Sequence, residues 1–179
     1  MVESNRLEAI ADDNERSLKT LVRAIKLSQR RFSLILAHCN YSSLREQMQQ
    51  QLHQRSEVEI QELHLEGSSQ DLYTTILNYF GEEPINALMV LGLESVEDLD
   101  KLLSATNKVR DQFSSFGFPV VLWVTDVILK KLVRIAPDFK NWASPPIQFT
   151  LNNEQLDDFL CQKAEQAFAE DPNFTLDSA

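Results

Sequence analysis

The chain has 179 residues, of which 43% are hydrophobic and 25% are charged, and its formal net charge is -10. These values are typical of about one globular domain with a sizeable core, and they exclude a disordered chain. The excess of acidic residues argues against nucleic acid as a partner, because lysine and arginine must replace the condensed counterions of the phosphate backbone.

No apolar run reaches the roughly 18–20 residues that span a bilayer, and the polar start of the chain, MVESN, is unlike a signal peptide. We therefore expect a cytoplasmic protein with no membrane partner. Cys39 and Cys161 are expected to be reduced and buried, because neither belongs to a spacing that zinc sites use.

The first predicted element is an amphipathic helix. Apolar residues recur at helical spacing at Leu18, Leu21, Val22 and Ile25. Asp12 followed by Glu15 has the form of a capping box, which predicts a break near Asp12 and a main helix from about Glu15 to Ser28. Residues 1–14 then form an N-terminal extension. The arginines and lysines within 16–31 make this helix basic, which is typical of a solvated face.

Five short apolar runs follow, each separated from the next by a helical stretch. The runs are 32–37, 58–65, 87–92, 119–124 and 147–151; the helices are 44–54, 72–80, 96–116, 127–135 and 154–169. This alternation predicts βαβ units and an α/β fold, a three-layer α/β/α sandwich with a mostly parallel five-stranded sheet. We expect a single α/β domain over 15–170 and a tail or linker over 171–179.

The character of each run predicts its place in the sheet. The first and fourth runs are nearly continuous in apolar residues, as central strands covered on both faces should be. The second run alternates apolar and polar residues, which indicates an edge strand with one wet face. After the fourth helix, Pro137 stops the helix, and Phe139 and Trp142 are expected to fold back as an apolar lid on one end of the sheet.

The turn after the first strand is where many α/β proteins hold a phosphate, but its residues do not fit one. The phosphate-loop pattern GxxxxGK[ST], laid over residues 37–44, places Ser42 at the second glycine, Ser43 at the lysine and Leu44 at the hydroxyl. None of the positions that define the pattern carries the residue that the pattern requires. Ser43 and Glu46 instead have capping-box spacing, which favours a self-capped helix over a bound anion.

Polar residues after two other strands are further candidates for a nucleotide site. Glu94 follows the third run and is a candidate magnesium ligand, although Ser95 with Asp98 again has capping-box form. Thr125 and Asp126 follow the fourth run, where ATPases often keep a polar sensor. Thr125 as a helix N-cap with Asp126 in the first turn is the favoured interpretation.

Nucleophilic catalysis has little support in the sequence. His38 and Cys39 are adjacent at the end of a strand, so their side chains point to opposite faces and cannot form a thiolate pair. The chain contains neither GxSxG nor HExxH nor GxGxxG, and it has four glycines. We expect no catalytic residues and no bound metal ion.

Longer phrases carry a family resemblance over about residues 18–152. The phrases LVRAIKLSQRRFSLILAHCN, ALMVLGLES, VVLWVTDVILKKLVRIAPDF and NWASPPIQF resemble the N-terminal NTPase-like domain of large bacterial, especially cyanobacterial, signalling proteins. Those domains are relatives of the STAND class of ATPases. The resemblance implies a P-loop-type sheet, with the first strand expected between the third and fourth. A flavodoxin-like sheet would place it between the second and third.

Two functions are compatible with these observations. The first is a non-catalytic, NTPase-like interaction or regulatory module in bacterial signalling, with no cofactor, that binds a protein partner or itself through the edge strand or the basic helix. The second is a weak nucleotide-binding or hydrolysing protein that uses magnesium. Its residues would be Asn40, Ser42 and Ser43 in an atypical loop within 37–46, with Glu94 and with Thr125 or Asp126 opposite.

Overall fold

A computed structural model describes residues 2–81, 83–151 and 153–170. The expected tail over 171–179 lies outside the described residues. By internal contacts the chain divides into two compact units. One is the continuous segment from Asn14 to Thr150, and the other comprises the residues up to Asp13 together with those from Leu151 onward. Of the described helices, none pairs enough length with enough apolar character for a membrane crossing.

Helices and strands alternate along the described chain as predicted. In order they are α1 Val2–Leu27, β1 Ser33–Cys39, α2 Ser42–Arg55, β2 Ile60–His64, α3 Leu72–Phe80, β3 Ala87–Leu91, α4 Leu99–Lys108, β4 Pro119–Val124, α5 Asp126–Ile135, α6 Pro137–Lys140, β5 Ile147–Phe149 and α7 Asn153–Glu170. Two 3-10 turns, Leu93–Ser95 and Arg110–Ser115, flank α4. The predicted fold class, an α/β sandwich with a five-stranded parallel sheet preceded by a helix, is confirmed.

All strand pairs of the sheet are parallel, in the order β2-β3-β4-β1-β5. Both expected orders for β1 are therefore wrong, because β1 lies between β4 and β5. The chain leaves β1 for the far edge, returns strand by strand to β4, and then crosses β1 to reach β5. The edge position of β2 and the interior positions of β1 and β4 are confirmed.

Helices cover both faces of the sheet. On one face, Leu34 and Leu36 of β1 belong to a buried cluster with residues of α3, α4 and α5. Side chains alternate along a strand, so Ile35 and Ala37 face the opposite side. Buried residues of α1 and α2 supply that side; they are Leu18, Leu21, Ile25, Leu44, Met48 and Leu52. Helices α3, α4 and α5 thus pack on one face of the sheet, and α1 and α2 supply the other.

Two expected helix boundaries are wrong. Helix α1 continues through Asp12 without a break, because a capping-box pattern does not interrupt a segment whose preceding residues also favour helix. The expected helix over 96–116 is shorter, since α4 begins after Asp98 and ends at Lys108. Asp98 is its N-cap, with its carboxylate accepting a hydrogen bond from the Lys101 N–H at 3.0 Å.

The apolar lid is confirmed at the amino ends of the strands. Pro137 is the first residue of α6, and Phe139 within that helix is buried. The Trp142 ring lies 5.6 Å from the ring of Phe32, the residue just before β1. The lid therefore lies at the opposite end of the sheet from the polar residues considered for a ligand site.

Candidate functional site

The carboxyl ends of β1 and β4 form the natural ligand position of this sheet. The two strands are neighbours, with His38 opposite Val124 in the register. The chain continues from β1 into α2 on one face and from β4 into α5 on the other. In open α/β sheets a crevice at such a switch point is where ligands bind. We call this the switch-point crevice, bounded by residues 38–42 and 124–126.

The connection from β1 to α2 is too short to wrap a phosphate. It consists of Asn40 and Tyr41, since β1 ends at Cys39 and α2 begins at Ser42. Tyr41 is the N-cap and makes no side-chain cap hydrogen bond. The expected capping box of Ser43 and Glu46 is therefore wrong, because both residues already lie inside the helix. A phosphate loop needs several residues of irregular backbone at this position.

The side chain of Asn40 bridges the switch-point crevice to Asp126. The Asn40 amide nitrogen donates to Asp126 Oδ2 at 2.9 Å, and the Asp126 backbone N–H donates to Asn40 Oδ1 at 2.8 Å. His38 adds a third link, with Nε2 lying 2.7 Å from Asp126 Oδ1. These contacts join the ends of β1 and β4, so the side chains of Asn40, His38 and Asp126 are partners of one another.

The electrostatics of this cluster follow from its hydrogen bonds. The Asn40 amide, and after it the His38 imidazole, hold the pKa of Asp126 below its ordinary value. The carboxylate is therefore the favoured form of Asp126. A carboxylate in this position repels a phosphate, because like charges are separated by only a few ångströms.

We expect low pH to reduce the stability contributed by the hydrogen-bonded cluster of His38, Asn40 and Asp126. The substitution Asp126→Asn tests this prediction. A carboxyl group whose pKa is depressed by folding adds stability above its unfolded pKa of about 3.9, and that stability is lost as the pH falls through the lower folded value. We expect wild type to be more stable than Asp126→Asn at neutral pH. The difference should vanish as the pH falls below about 4, as measured by urea unfolding from pH 7 to pH 2.5.

Asp158→Asn is the matched control, because Asp158 lies on α7 with its side chain exposed. It makes the same change in net charge without removing a hydrogen bond of the switch-point crevice. A pH-independent difference for Asp126→Asn would contradict the depressed pKa.

Glu94 and Arg45 form an ion pair at the same end of the sheet. Glu94 lies in the 3-10 turn after β3, and its Oε1 is 2.5 Å from the Arg45 guanidinium in the first turn of α2. The Arg45 side chain is only 17% exposed. Glu94, the candidate magnesium ligand, thus has a cation as its partner. Among the residues that the structure describes, no three His, Cys, Asp or Glu side chains cluster as metal ligands would.

Thr125 takes the structural role that the sequence favours. Its Oγ1 accepts a hydrogen bond from the Ile128 N–H at 3.4 Å, so it is the N-cap of α5 with Asp126 in the first turn. Ser42 and Ser43 are exposed in the first turn of α2. Of the six candidate residues, the structure joins Asn40 directly to Asp126, while Glu94 is held by Arg45.

The two cysteines lie in different environments. Cys39 is buried, its Sγ donates to the Tyr41 carbonyl at 3.3 Å, and burial raises the pKa of its thiol. The thiol form is therefore favoured and the nucleophilic thiolate is disfavoured. His38 points the other way, as predicted, toward Asp126. Cys161 is exposed, contrary to the expectation of burial, because residues 160–167 of α7 are all exposed.

Sequence reasoning missed the pairing of His38 with Asp126 and of Arg45 with Glu94. Both pairs join residues at or beyond the carboxyl ends of different strands, and their contact depends on strand order. A usable signal was present in the polar residues directly after β1 and β4, since neighbouring parallel strands bring such residues together.

At the far edge of the sheet, a groove of about 520 Å³ with mixed polar and apolar lining borders β2. It is lined by Leu63, His64, Glu66, Ser68, Ser69, Gln70, Thr74, Thr75, Asn78 and Tyr79. We call it the edge groove. On β2 itself, Glu62 Oε1 lies 2.7 Å from His53 Nε2, and its other oxygen lies 3.4 Å from His64 Nε2.

The basic face of α1 borders a second groove, of about 350 Å³. Two cations beside this groove are engaged by carboxylates, since Lys26 of α1 donates to Glu57 at 2.6 Å and Arg55 of α2 donates to Glu15 of α1 at 2.6 Å. Hydrogen bonds from Arg55 lower the pKa of Glu15, and those from Lys26 lower the pKa of Glu57. This face therefore presents less free positive charge than the sequence indicates.

Comparison with known proteins gives no family assignment. No protein-family model matches the chain, and a search of curated proteins returns no significant match.

Proposed function

We propose that the chain is a non-catalytic, NTPase-like interaction module of a cytoplasmic bacterial signalling protein, without a working phosphate-binding loop. The proposal combines the family resemblance of the sequence phrases with the closed geometry of the switch-point crevice. The observation that carries it is the Asn40 side chain, which is hydrogen-bonded to both the carboxylate and the backbone N–H of Asp126.

Three features at the crevice support the absence of phosphoryl chemistry. The connection from β1 to α2 is limited to Asn40 and Tyr41. Asp126 lies at the switch-point crevice, and its lowered pKa favours the charged carboxylate, which would repel a phosphate placed beside it. Arg45 is held by Glu94. Phosphoryl transfer needs free cationic groups and donors aimed at the phosphates, and these features work against both.

A fold that has lost its reaction retains its surfaces, and two of them are available for partners. One is the open edge of β2, and the other is the face of α1 beside the 350 Å³ groove. Because Lys19 and Lys26 of α1 are already paired with Glu15 and Glu57, the β2 edge is the stronger candidate for recognition of a protein partner.

Nucleotides should fail to stabilise the protein. A ligand at 100 times its Kd adds about 2.7 kcal/mol, which for a chain of this size raises the Tm by roughly 5–10 °C. We expect no shift with ATP, ADP, GTP or cyclic nucleotides at about 5 mM, with or without magnesium, in a thermal-shift titration checked by calorimetry.

Ser43→Ala and Glu94→Gln complete the experiment as controls. A saturable, magnesium-dependent rise in Tm that both substitutions reduce would overturn the proposal and establish the alternative, a weak nucleotide-binding protein. Ser43 has no capping role in the structure, so its substitution separates ligand binding from stability.

A further inference from the structure

The backbone of β2 is open to a further strand. In the described sheet β2 pairs with β3 on one side and forms the edge on the other. The Leu65 N–H donates to the Leu91 carbonyl at 2.9 Å. Main-chain groups alternate in direction along a strand, so the N–H and C=O groups of Glu62 and His64 point away from β3. They present donors and acceptors in the spacing that an added strand needs.

The edge groove lies directly beside these groups and continues the surface onto α3. Its walls carry hydroxyl and amide side chains, including Thr74 and Asn78, and the Tyr79 ring is 60% exposed there. A groove with both polar and apolar lining and one aromatic side chain suits an extended peptide, whose backbone needs hydrogen bonds and whose alternate side chains need room.

The negative charge along the β2 edge indicates which kind of segment can bind there. Glu59 and Glu66 are exposed at the two ends of β2, and Glu62 lies between them. Pairing of β2 with the same strand of a second copy would bring two sets of these carboxylates together, which is destabilising. A segment rich in lysine or arginine would be attracted by the same charges.

We propose that an extended, basic peptide segment of a protein partner adds to β2 as a sixth strand, with alternate side chains in the edge groove. This proposal deepens the proposed function, on which it rests, by naming the docking surface and the chemistry of the partner. The added strand hydrogen-bonds to the outward groups of Glu62 and His64, and its cations pair with Glu59 and Glu66.

The test is an NMR titration of the ¹⁵N-labelled full chain with a ten-residue peptide of alternating valine and lysine. We expect saturable shifts of backbone amides within 60–66 and 74–79. The double substitution Glu59→Lys and Glu66→Lys should weaken binding by about tenfold, because it reverses the local charge. A peptide N-methylated on alternate residues should not bind, because it lacks the backbone donors for pairing.

Glu46→Lys with Asp158→Lys is the matched control, since it makes the same change in net charge. Glu46 lies on α2, which begins beside β1, three strands from β2, and Asp158 lies on α7. Equal weakening by both double substitutions would show non-specific attraction and overturn the proposal. Shifts confined to other residues, or a concentration-dependent dimer through β2 in sedimentation, would also overturn it.

These outcomes are independent of the nucleotide titration. Peptide binding at β2 together with a magnesium-dependent ATP shift would refute the non-catalytic function and leave the docking surface intact. Absence of both would refute the docking surface alone.

Discussion

Replacing Trp123 with alanine is expected to lower the free energy of unfolding by about 3–5 kcal/mol. Trp123 lies in β4, between β3 and β1, and its side chain is 1% exposed. Its ring packs 5.4 Å from the ring of Phe149 in β5. Strands on both sides hold β4 in place, so the surrounding structure has little freedom to fill the cavity that alanine leaves. Urea unfolding measures the loss.

Trp142→Ala provides the matched control for this prediction. Trp142 is the second tryptophan of the chain, is 40% exposed, and packs on Phe32 at the other end of the sheet. Its substitution should cost about 1 kcal/mol or less, because a half-exposed ring leaves no closed cavity. Equal losses for the two substitutions would contradict the placement of Trp123 in the core.

The effect of Trp123 extends to the switch-point crevice, because β4 delivers Thr125 and Asp126 to it. The N-cap of α5 and the bridge to Asn40 both follow directly from the last residues of this strand. Because β4 is held rigidly, the N-cap hydrogen bond of α5 and the hydrogen bonds between Asn40 and Asp126 keep their geometry. The closed state of the crevice is thus a property of the packed core as well as of its polar residues.

Elements with strong local signals were predicted closely from the sequence. The bounds of β4 and α3 agree with the predicted ranges 119–124 and 72–80. In β4 an apolar run begins at Pro119 and is closed by the capping residue Thr125. In α3 the helix starts after Asp71, whose carboxylate accepts from the Thr74 N–H, and ends at Gly81, which has a φ of 58°. Signals of this kind, which mark where a helix or strand starts and ends, depend on neighbouring residues and can therefore be recognised in the sequence.

The strand order and the closed crevice could not be predicted in the same way. Hydrophobic periodicity states which residues are buried, whereas the neighbours of a strand depend on which helices pack over which faces. The contact of His38 with Asp126 spans 88 residues and exists only because β1 lies beside β4. The sequence identified the candidate residues individually. Their contacts with one another could be predicted only with knowledge of the strand order.

Helix starts were misread where several capping residues stand close together. Ser42, Ser43 and Asn40 all precede the apolar positions of α2, and the structure begins the helix after Tyr41. Asn40 is drawn to Asp126 instead of capping the helix, because its amide makes two hydrogen bonds across the sheet. A tertiary contact thus determines which of several possible capping residues precedes the helix, although the sequence alone does not distinguish them.

Replacing Phe113 with alanine should also cost about 3–5 kcal/mol, because it removes the centre of an aromatic cluster. Phe113 is 1% exposed, and its ring centroid lies 4.8–5.7 Å from those of four other rings. The four rings belong to Phe32, Tyr73, Phe116 and Phe139. The sequence placed Phe113 in a long helix, but the 3-10 turn Arg110–Ser115 directs it into this cluster.

Phe113→Leu separates the loss of volume from the loss of aromatic contacts. Leucine fills most of the space, so we expect a cost below about 1.5 kcal/mol from packing, with a further 0.5–1.5 kcal/mol for the aromatic pairs. Urea unfolding of Phe113→Ala and Phe113→Leu separates the cost of the lost volume from the cost of the lost aromatic contacts. A cost for Phe113→Ala below 1 kcal/mol would mean that the turn leaves the ring in solvent.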